Sequence, residues 1–206
     1  MSEQEYTPAS IIRYPEMGVL LKILPKYDFL DPFLRQFLYK LYHCKLVFKR
    51  YRLNINDMLN FGQRCTLCNN AIDTPKHLFE RCERGISLRE KRDLLMKNVN
   101  FNNTNITENK KIYSYFSKSY NDNKLLQYII TASNYSIYKV KMKLFYDPSY
   151  VVTNEAATYI FVKIIKQRIF CDHRRLCFEK FKEIWDPNNS QVLFEFNRTK
   201  IDTWFF

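Results

Sequence analysis

Apolar residues recur at intervals of three and four over three long stretches of the chain, which is the spacing of an amphipathic α-helix. The first stretch follows Asp31-Pro32, a helix N-cap with proline at the first helical position, and predicts a helix over 33–49. The second predicts a helix over 122–143, and the third predicts one long helix that extends over 153–185. These patterns favour a mainly α-helical protein.

Shorter patterns lie between and around the long ones. The basic segment 87–97 predicts a further helix, and 112–120 predicts another. The stretch 17–24 indicates one short element within an otherwise irregular arm. Residues 191–206 alternate loosely between apolar and polar, which indicates a short strand or a docked tail near the C-terminus.

Four metal-ligating side chains follow the spacing C-x2-C-x8-H-x4-C: Cys65, Cys68, His77 and Cys82. Structural Zn²⁺ takes four tetrahedral ligands of this kind, and a full set of four leaves no open position for catalysis. We therefore predict a Cys3His zinc knuckle that holds one structural Zn²⁺. The alternative is a set of ordinary buried cysteines with a satisfied histidine, and disulfides are the weaker rival because nothing indicates an oxidising compartment.

The second half of the knuckle carries a helix start. Thr74-Pro75 is typical of an N-cap followed by proline, which places His77 in the first helical turn. In an ideal helix, at ~100° per residue, Cys82 lies about 140° away from His77 around the axis. The helix must therefore end or loosen near Cys82, and Gly85 is well placed to let it stop.

The segment 37–82 resembles the zinc-binding segment found downstream of the polymerase in non-LTR (LINE-type) retrotransposon reverse transcriptases. The matching residues, in order, are Leu41-Tyr42-His43, Arg50 to Arg52, Cys65, Cys68, His77-Leu78-Phe79 and Cys82. A looser similarity in the later helices extends the resemblance over about 33–185. The family usually has glycine after the second cysteine; Asn69 stands there and needs only a left-handed conformation, which asparagine tolerates.

The chain carries a net charge of +12, with 17% aromatic residues and only 3 glycines among 206 residues. A basic domain favours polyanionic partners, most often nucleic acid, although a solvated basic surface is the alternative. We expect phosphate contacts beside the knuckle, with exposed tyrosine or phenylalanine stacking on unpaired bases. The candidate contacts are Arg50, Arg52, Arg64, Lys76, Arg81, Arg84, Arg89 and Arg92.

The resemblance implies that the natural partner is RNA or DNA and that a reverse transcriptase core is a second partner. The start of the sequence lacks the pattern of a signal peptide, and no apolar run reaches the ~18 residues of a membrane span. We therefore expect an intracellular protein of the nucleus or cytoplasm that has no membrane partner.

Catalytic motifs are missing from the sequence. A reverse transcriptase needs paired aspartates for two metal ions, and the chain contains no Asp-Asp. We therefore expect a module that is not an enzyme. The competing hypothesis is a structural or protein-interaction unit, or a truncated retroelement relic, with no nucleic-acid binding of its own.

The expected organisation is a helical domain with an inserted zinc knuckle, followed by a second helical domain. We divide the chain into an irregular arm (1–30), a helix plus zinc-knuckle domain (31–98), a linker (99–111) and a helical C-terminal domain (112–206). The linker is assigned from its richness in asparagine and threonine.

Overall fold

The computed structural model describes residues 29–43, 45–48, 64–99 and 124–185. The α-helices in these ranges are α1 (Pro32–Tyr42), α2 (Ile86–Asn98), α3 (Lys124–Tyr146), α4 (Ala156–Arg175) and α5 (Phe178–Trp185). A π-helical turn, His77–Arg81, and a 3-10 turn, Glu83–Gly85, precede α2. The described part of the chain contains no strand, only an isolated bridge between Arg64 and Ile72. The prediction of a mainly α-helical protein is confirmed.

The chain divides into two compact units, Met1–Leu46 and Val47–Phe206. The sequence instead placed its main boundary in the 99–111 linker, most of which lies outside the described residues. The arm 1–30, the helix at 112–120 and the strand or tail at 191–206 also fall outside them, apart from positions 29 and 30.

Helix α1, in the first unit, begins at Pro32 as predicted but ends at Tyr42, about two turns before the predicted end. Its buried side chains are Leu34, Phe37, Leu38, Leu41 and Tyr42. Within the predicted continuation, the backbone of Val47 is bonded outside any helix. Its N–H donates to the hydroxyl of Tyr138 (3.0 Å), and its carbonyl accepts from Nζ of Lys141 (2.8 Å).

Helix α3 forms the centre of the second unit, where it packs against α2, α4 and the π-helical turn. Every residue over 126–134 is buried, so this helix has no purely solvent-facing side there. Its buried hydroxyls are satisfied within the helix: Thr131 donates to the carbonyl of Gln127 and Ser136 to that of Ala132, each at 2.7 Å. Such back-bonding lets a polar residue face a packed neighbour without an unsatisfied group.

The single long helix predicted over 153–185 is wrong, because the structure has two helices. Leu176 is extended (φ −109°, ψ 149°) and separates α4 from α5. The physical reason is Trp185, which is 1% exposed and donates from Nε1 to Oδ2 of Asp172 at 3.2 Å. Burying this indole requires α5 to fold back on α4, and a continuous helix would leave Trp185 far from Asp172.

Candidate metal centre

The first half of the knuckle is a short loop closed on itself. The Arg64–Ile72 bridge joins its ends, and the N–H of Cys65 donates to the carbonyl of Ala71 at 2.7 Å. Asn69 has a φ of 59°, the left-handed conformation that the sequence required there. Its N–H bonds the carbonyl of Cys65 (2.8 Å), so the chain reverses directly after Cys68.

The second half begins at the predicted cap. The hydroxyl of Thr74 accepts from the N–H of His77 at 3.1 Å, as an N-cap does, and Pro75 is the first helical residue. The chain then widens into the π-helical turn, in which the N–H of Cys82 bonds the carbonyl of His77 at 2.7 Å. A backbone hydrogen bond between residues five apart closes one turn of a π-helix. Cys82 therefore lies on the same side of the turn as His77.

The expectation that the helix loosens near Cys82 is therefore confirmed, because the helix widens into the π-helical turn before this residue. The role given to Gly85 is wrong. The helical turn ends at Cys82, whose backbone is extended (φ −61°, ψ 126°), and Gly85 has a negative φ of −109°. Gly85 is instead a site of close approach, because a Cβ there would lie 2.6 Å from Cδ1 of Ile137.

The four predicted ligands converge. Their ligand atoms all lie within 4.8 Å of one another, with Sγ of Cys65 4.0 Å from Sγ of Cys82 and Sγ of Cys68 3.2 Å from Nε2 of His77. Two sulfurs on one tetrahedral Zn²⁺ lie about 3.8 Å apart at the usual Zn–S bond length. The group is thus of the right size and donor type for one metal ion, and it is the one such Cys/His cluster among the described residues.

Backbone N–H groups are directed at all three sulfurs. The sulfur of Cys65 accepts from the N–H groups of Leu67 and Cys68, and that of Cys82 accepts from the N–H of Arg84. The sulfur of Cys68 accepts from Asn70 at 3.4 Å. Each cysteine thus receives an N–H from the residue two positions later, an arrangement that stabilises thiolates.

The thiols cannot all ionise easily on their own. The hydrogen bond between the two side chains lowers the pKa of Cys65 to about 5 and raises the pKa of Cys82, which burial raises further. Burial also raises the pKa of Cys68. A divalent cation removes this conflict, because it favours the thiolate at every position it contacts.

An apolar shell fixes the cluster to the rest of the second unit. Three buried side chains form this shell: Leu67, Leu78 and Phe79. The ring of Phe79 meets that of Phe48 edge to face, with centroids 6.2 Å apart. The Cys/His cluster therefore rests on a packed core.

A buried ion pair makes a second connection, which the sequence did not reveal. Both oxygens of Asp73, at the end of the knuckle loop, accept from Nζ of Lys141 on α3, at 2.8 and 2.7 Å. Lys141 also lies over the ring of Phe48, 4.0 Å from its centroid, and both charged side chains are at most 1% exposed. The only available signal was a lysine beside the apolar face of a helix, and lysine there more often reaches solvent.

The predicted nucleic-acid contacts divide into three groups. Arg50 and Arg52 lie outside the described residues. Arg64, Lys76 and Arg81 are exposed beside the metal ligands. Arg84 and Arg89 are half-buried and Arg92 is buried, and all three make contacts within the protein.

The internal contacts of these three arginines are specific. Arg84 donates to Oδ1 of Asn154 (2.9 Å), and Arg89 donates to the carbonyl of Cys82 (2.9 Å). Arg92 is 1% exposed and pairs with Glu80 at 2.8 Å and Asp93 at 2.9 Å. The prediction that Arg92 contacts nucleic acid does not fit this burial, because its charge is already matched and shielded. Helical spacing alone did not reveal that this position faces the π-helical turn.

No helix among the described residues is both long enough and apolar enough to cross a membrane. No family model, curated protein or solved structure matches this chain. The resemblance to the zinc-binding segment of LINE-type reverse transcriptases therefore remains a prediction made from sequence alone.

Proposed function

We propose that this protein is a non-catalytic nucleic-acid-binding module built around one structural Zn²⁺ held by Cys65, Cys68, His77 and Cys82. Zinc suits this donor set because soft thiolates and one imidazole in tetrahedral reach are its usual structural ligands. Four protein ligands complete the coordination sphere, which leaves no position for a catalytic water. The reduced thiols that such a site needs favour an intracellular compartment.

One observation carries the proposal of nucleic-acid binding: three exposed basic residues, Arg64, Lys76 and Arg81, surround the cluster in a chain of net charge +12. Each of the three directly precedes a predicted ligand: Arg64 precedes Cys65, Lys76 precedes His77, and Arg81 precedes Cys82. A metal that fixes these backbones fixes the three charges relative to one another. Such an array suits contacts to a phosphate backbone.

Metal content is the first measurement. We expect one equivalent of zinc in the purified protein and its loss in Cys65→Ser, because removing one of four ligands opens the site. Cys171→Ser is the matched control, since Cys171 is exposed on α4 and lies outside the cluster. Wild-type protein that refolds fully without binding zinc would overturn the metal assignment.

Binding to RNA and DNA is the second measurement, by fluorescence anisotropy at about 50 mM and about 200 mM salt. We expect affinity to fall with salt, and the triple variant Arg64→Ala, Lys76→Ala, Arg81→Ala to show a smaller dependence on salt. The control carries Lys91→Ala and Lys97→Ala, which remove two exposed charges of α2. Absence of binding, or binding that ignores salt, would contradict the proposal.

The second candidate function is a structural or protein-interaction unit, such as one that supports a polymerase core. The observation in its favour is the internal use of Arg84, Arg89 and Arg92, three of the eight basic residues first expected to contact nucleic acid. If the folded, zinc-loaded protein binds no nucleic acid at either salt concentration, this second function becomes the better account.

A further inference from the structure

Helix α4 presents a row of aromatic and basic residues on one face. The row, which we name the α4 stripe, consists of Tyr159, Lys163, Lys166, Phe170 and Arg174. At ~100° per residue, spacings of four, three, four and four keep all five within an arc of about 80°. The stripe extends about 22 Å along the helix, from its first residue to its last.

The stripe faces away from the core. Tyr159 and Phe170 are each 50% exposed, although large aromatic side chains are normally well covered. Lys163 and Arg174 are exposed and Lys166 is half-buried. The opposite face of α4 supplies the buried contacts, among them Phe161, Ile165 and Ile169.

No acidic residue of α4 lies within the stripe. The single acid of α4 is Asp172, which lies on the buried side at 8% exposure. Its Oδ2 accepts from Nε of Arg168 at 2.9 Å and from the indole of Trp185 at 3.2 Å. The one negative charge of α4 is thus neutralised on the buried side, and every charged residue within the stripe is basic.

Two members of the stripe already stack on each other. The guanidinium carbon of Arg174 lies 4.3 Å from the centroid of the Phe170 ring. Guanidinium planes and aromatic rings are both surfaces on which nucleic-acid bases stack. The pair holds the guanidinium in place, which reduces the entropy lost when a ligand binds there.

We propose that the α4 stripe is the surface on which this protein holds single-stranded nucleic acid, with Tyr159 and Phe170 stacking on bases and Lys163, Lys166 and Arg174 contacting phosphates. Aromatic rings in a basic row match a strand whose bases are unpaired, because each base then offers a ring face as well as a phosphate. A duplex keeps its bases stacked on each other and leaves the rings without that contact. This inference rests on the proposed function. It names the class of ligand and a binding site separate from Arg64, Lys76 and Arg81.

The test measures binding of labelled single strands of about 16 nucleotides, RNA and DNA, and of a duplex of the same sequence. The main variant carries Tyr159→Ala and Phe170→Ala. Tyr146→Ala is its matched control, since Tyr146 is a 77% exposed aromatic on α3. Lys163→Ala tests the charge, with Lys97→Ala as its control. Zinc content and circular dichroism establish that each variant is folded.

We expect the double aromatic variant to bind single strands at least about tenfold more weakly, since stacking on one ring accounts for about that factor. Duplex binding should change much less, and Tyr146→Ala should bind like the wild type. Lys163→Ala should reduce the salt slope for single strands by about 0.7, the value for one lost phosphate contact.

The two proposals fail in different ways. Wild-type protein that binds no nucleic acid overturns the proposed function, and this inference with it. Wild-type protein that binds with a salt dependence, while the aromatic and Lys163→Ala variants match their controls, overturns the inference alone. Equal losses for single strands and duplex would assign the stripe to non-specific charge and would also contradict stacking.

Discussion

Asp73 and Lys141 take no direct part in the proposed function, but their ion pair holds the knuckle loop against α3. Two charges at 0% and 1% side-chain exposure are stable only because each satisfies the other and Lys141 also bonds the carbonyl of Val47. The pair joins three pieces of chain that are remote in sequence: the knuckle loop, α3 and the segment before the knuckle. Such a pair contributes more to the position of the knuckle loop than to the net stability of the fold.

Replacing Lys141 with methionine is expected to lower the free energy of unfolding by about 3–5 kcal/mol, because the carboxylate of Asp73 is then buried without a partner. Urea denaturation measures this loss. Lys143→Met is the control, since Lys143 is exposed two residues away. The double variant Asp73→Asn, Lys141→Met should recover part of the loss. A loss no larger than that of the control would show that water reaches the carboxylate.

Individual residues were predictable from sequence where the constraint is local. The left-handed Asn69, the Thr74 cap and the four ligands all follow from spacing and from the chemistry of single residue types. The burial of Lys141 and Arg92 was not predictable, because Asp73 and Glu80, which pair with them, lie 68 and 12 positions away. Nothing in a helical pattern identifies a lysine whose partner is a loop aspartate.

At the scale of elements, the sequence located the helices better than their ends. The predicted 87–97 and 122–143 helices correspond to α2 and α3 with small shifts. The end of α1 and the break between α4 and α5 were missed. The break depends on a tertiary contact, the bond from Trp185 to Asp172, which the helical pattern does not contain. Helical periodicity shows which face of a helix is apolar. Where two consecutive helices both have an apolar face, the pattern continues across the break between them and conceals it.

Trp185→Ala is expected to release α5 from α4, because the indole is 1% exposed and its N–H bonds Asp172. Loss of a buried tryptophan costs about 3–5 kcal/mol where the site cannot collapse. Hydrogen exchange should show lost protection over Phe178–Trp185, with α3 unchanged. Trp185→Phe is the control that keeps most of the apolar contact and removes only the N–H. Unchanged exchange in the alanine variant would contradict the docking of α5.

Gly85 marks the point where the 3-10 turn meets α3. A Cβ at this position would lie 2.6 Å from Cδ1 of Ile137 and 2.7 Å from a guanidinium nitrogen of Arg89, so both side chains would have to move. We expect Gly85→Ala to destabilise the protein by about 1–3 kcal/mol, the usual effect of overpacking. The comparison variant is Ile86→Ala, whose side chain is 50% exposed. In the double variant Gly85→Ala, Ile137→Val the loss should shrink, because part of the clash is removed. An equal loss of stability in the single variant Gly85→Ala and in the double variant would show that contact with Ile137 does not cause the destabilisation.

At the scale of the molecule, the Cys/His cluster and the helical core are two distinct parts of the second unit. Helices α2, α3 and α4 pack on one another, and α3 also packs on the π-helical turn. The knuckle loop and the π-helical turn hold three buried or half-buried thiols, whose pKa values are shifted in opposite directions. Small zinc domains lacking such a core unfold when the metal is removed. Here the consequence of metal loss should be local.

Chelation of zinc is therefore expected to leave most of the helical circular dichroism intact while the knuckle, residues 64–85, loses protection from hydrogen exchange. Helices α3 and α4 should keep their protection, and added zinc should restore the knuckle. If the proposed function is right, binding through Arg64, Lys76 and Arg81 weakens on chelation, since these charges are then no longer held in fixed relation. Binding through the α4 stripe should persist, because the contacts that position Tyr159 and Phe170 lie within the helical core. Global unfolding on chelation would contradict the expected local effect and would show that the fold of the whole second unit depends on the metal.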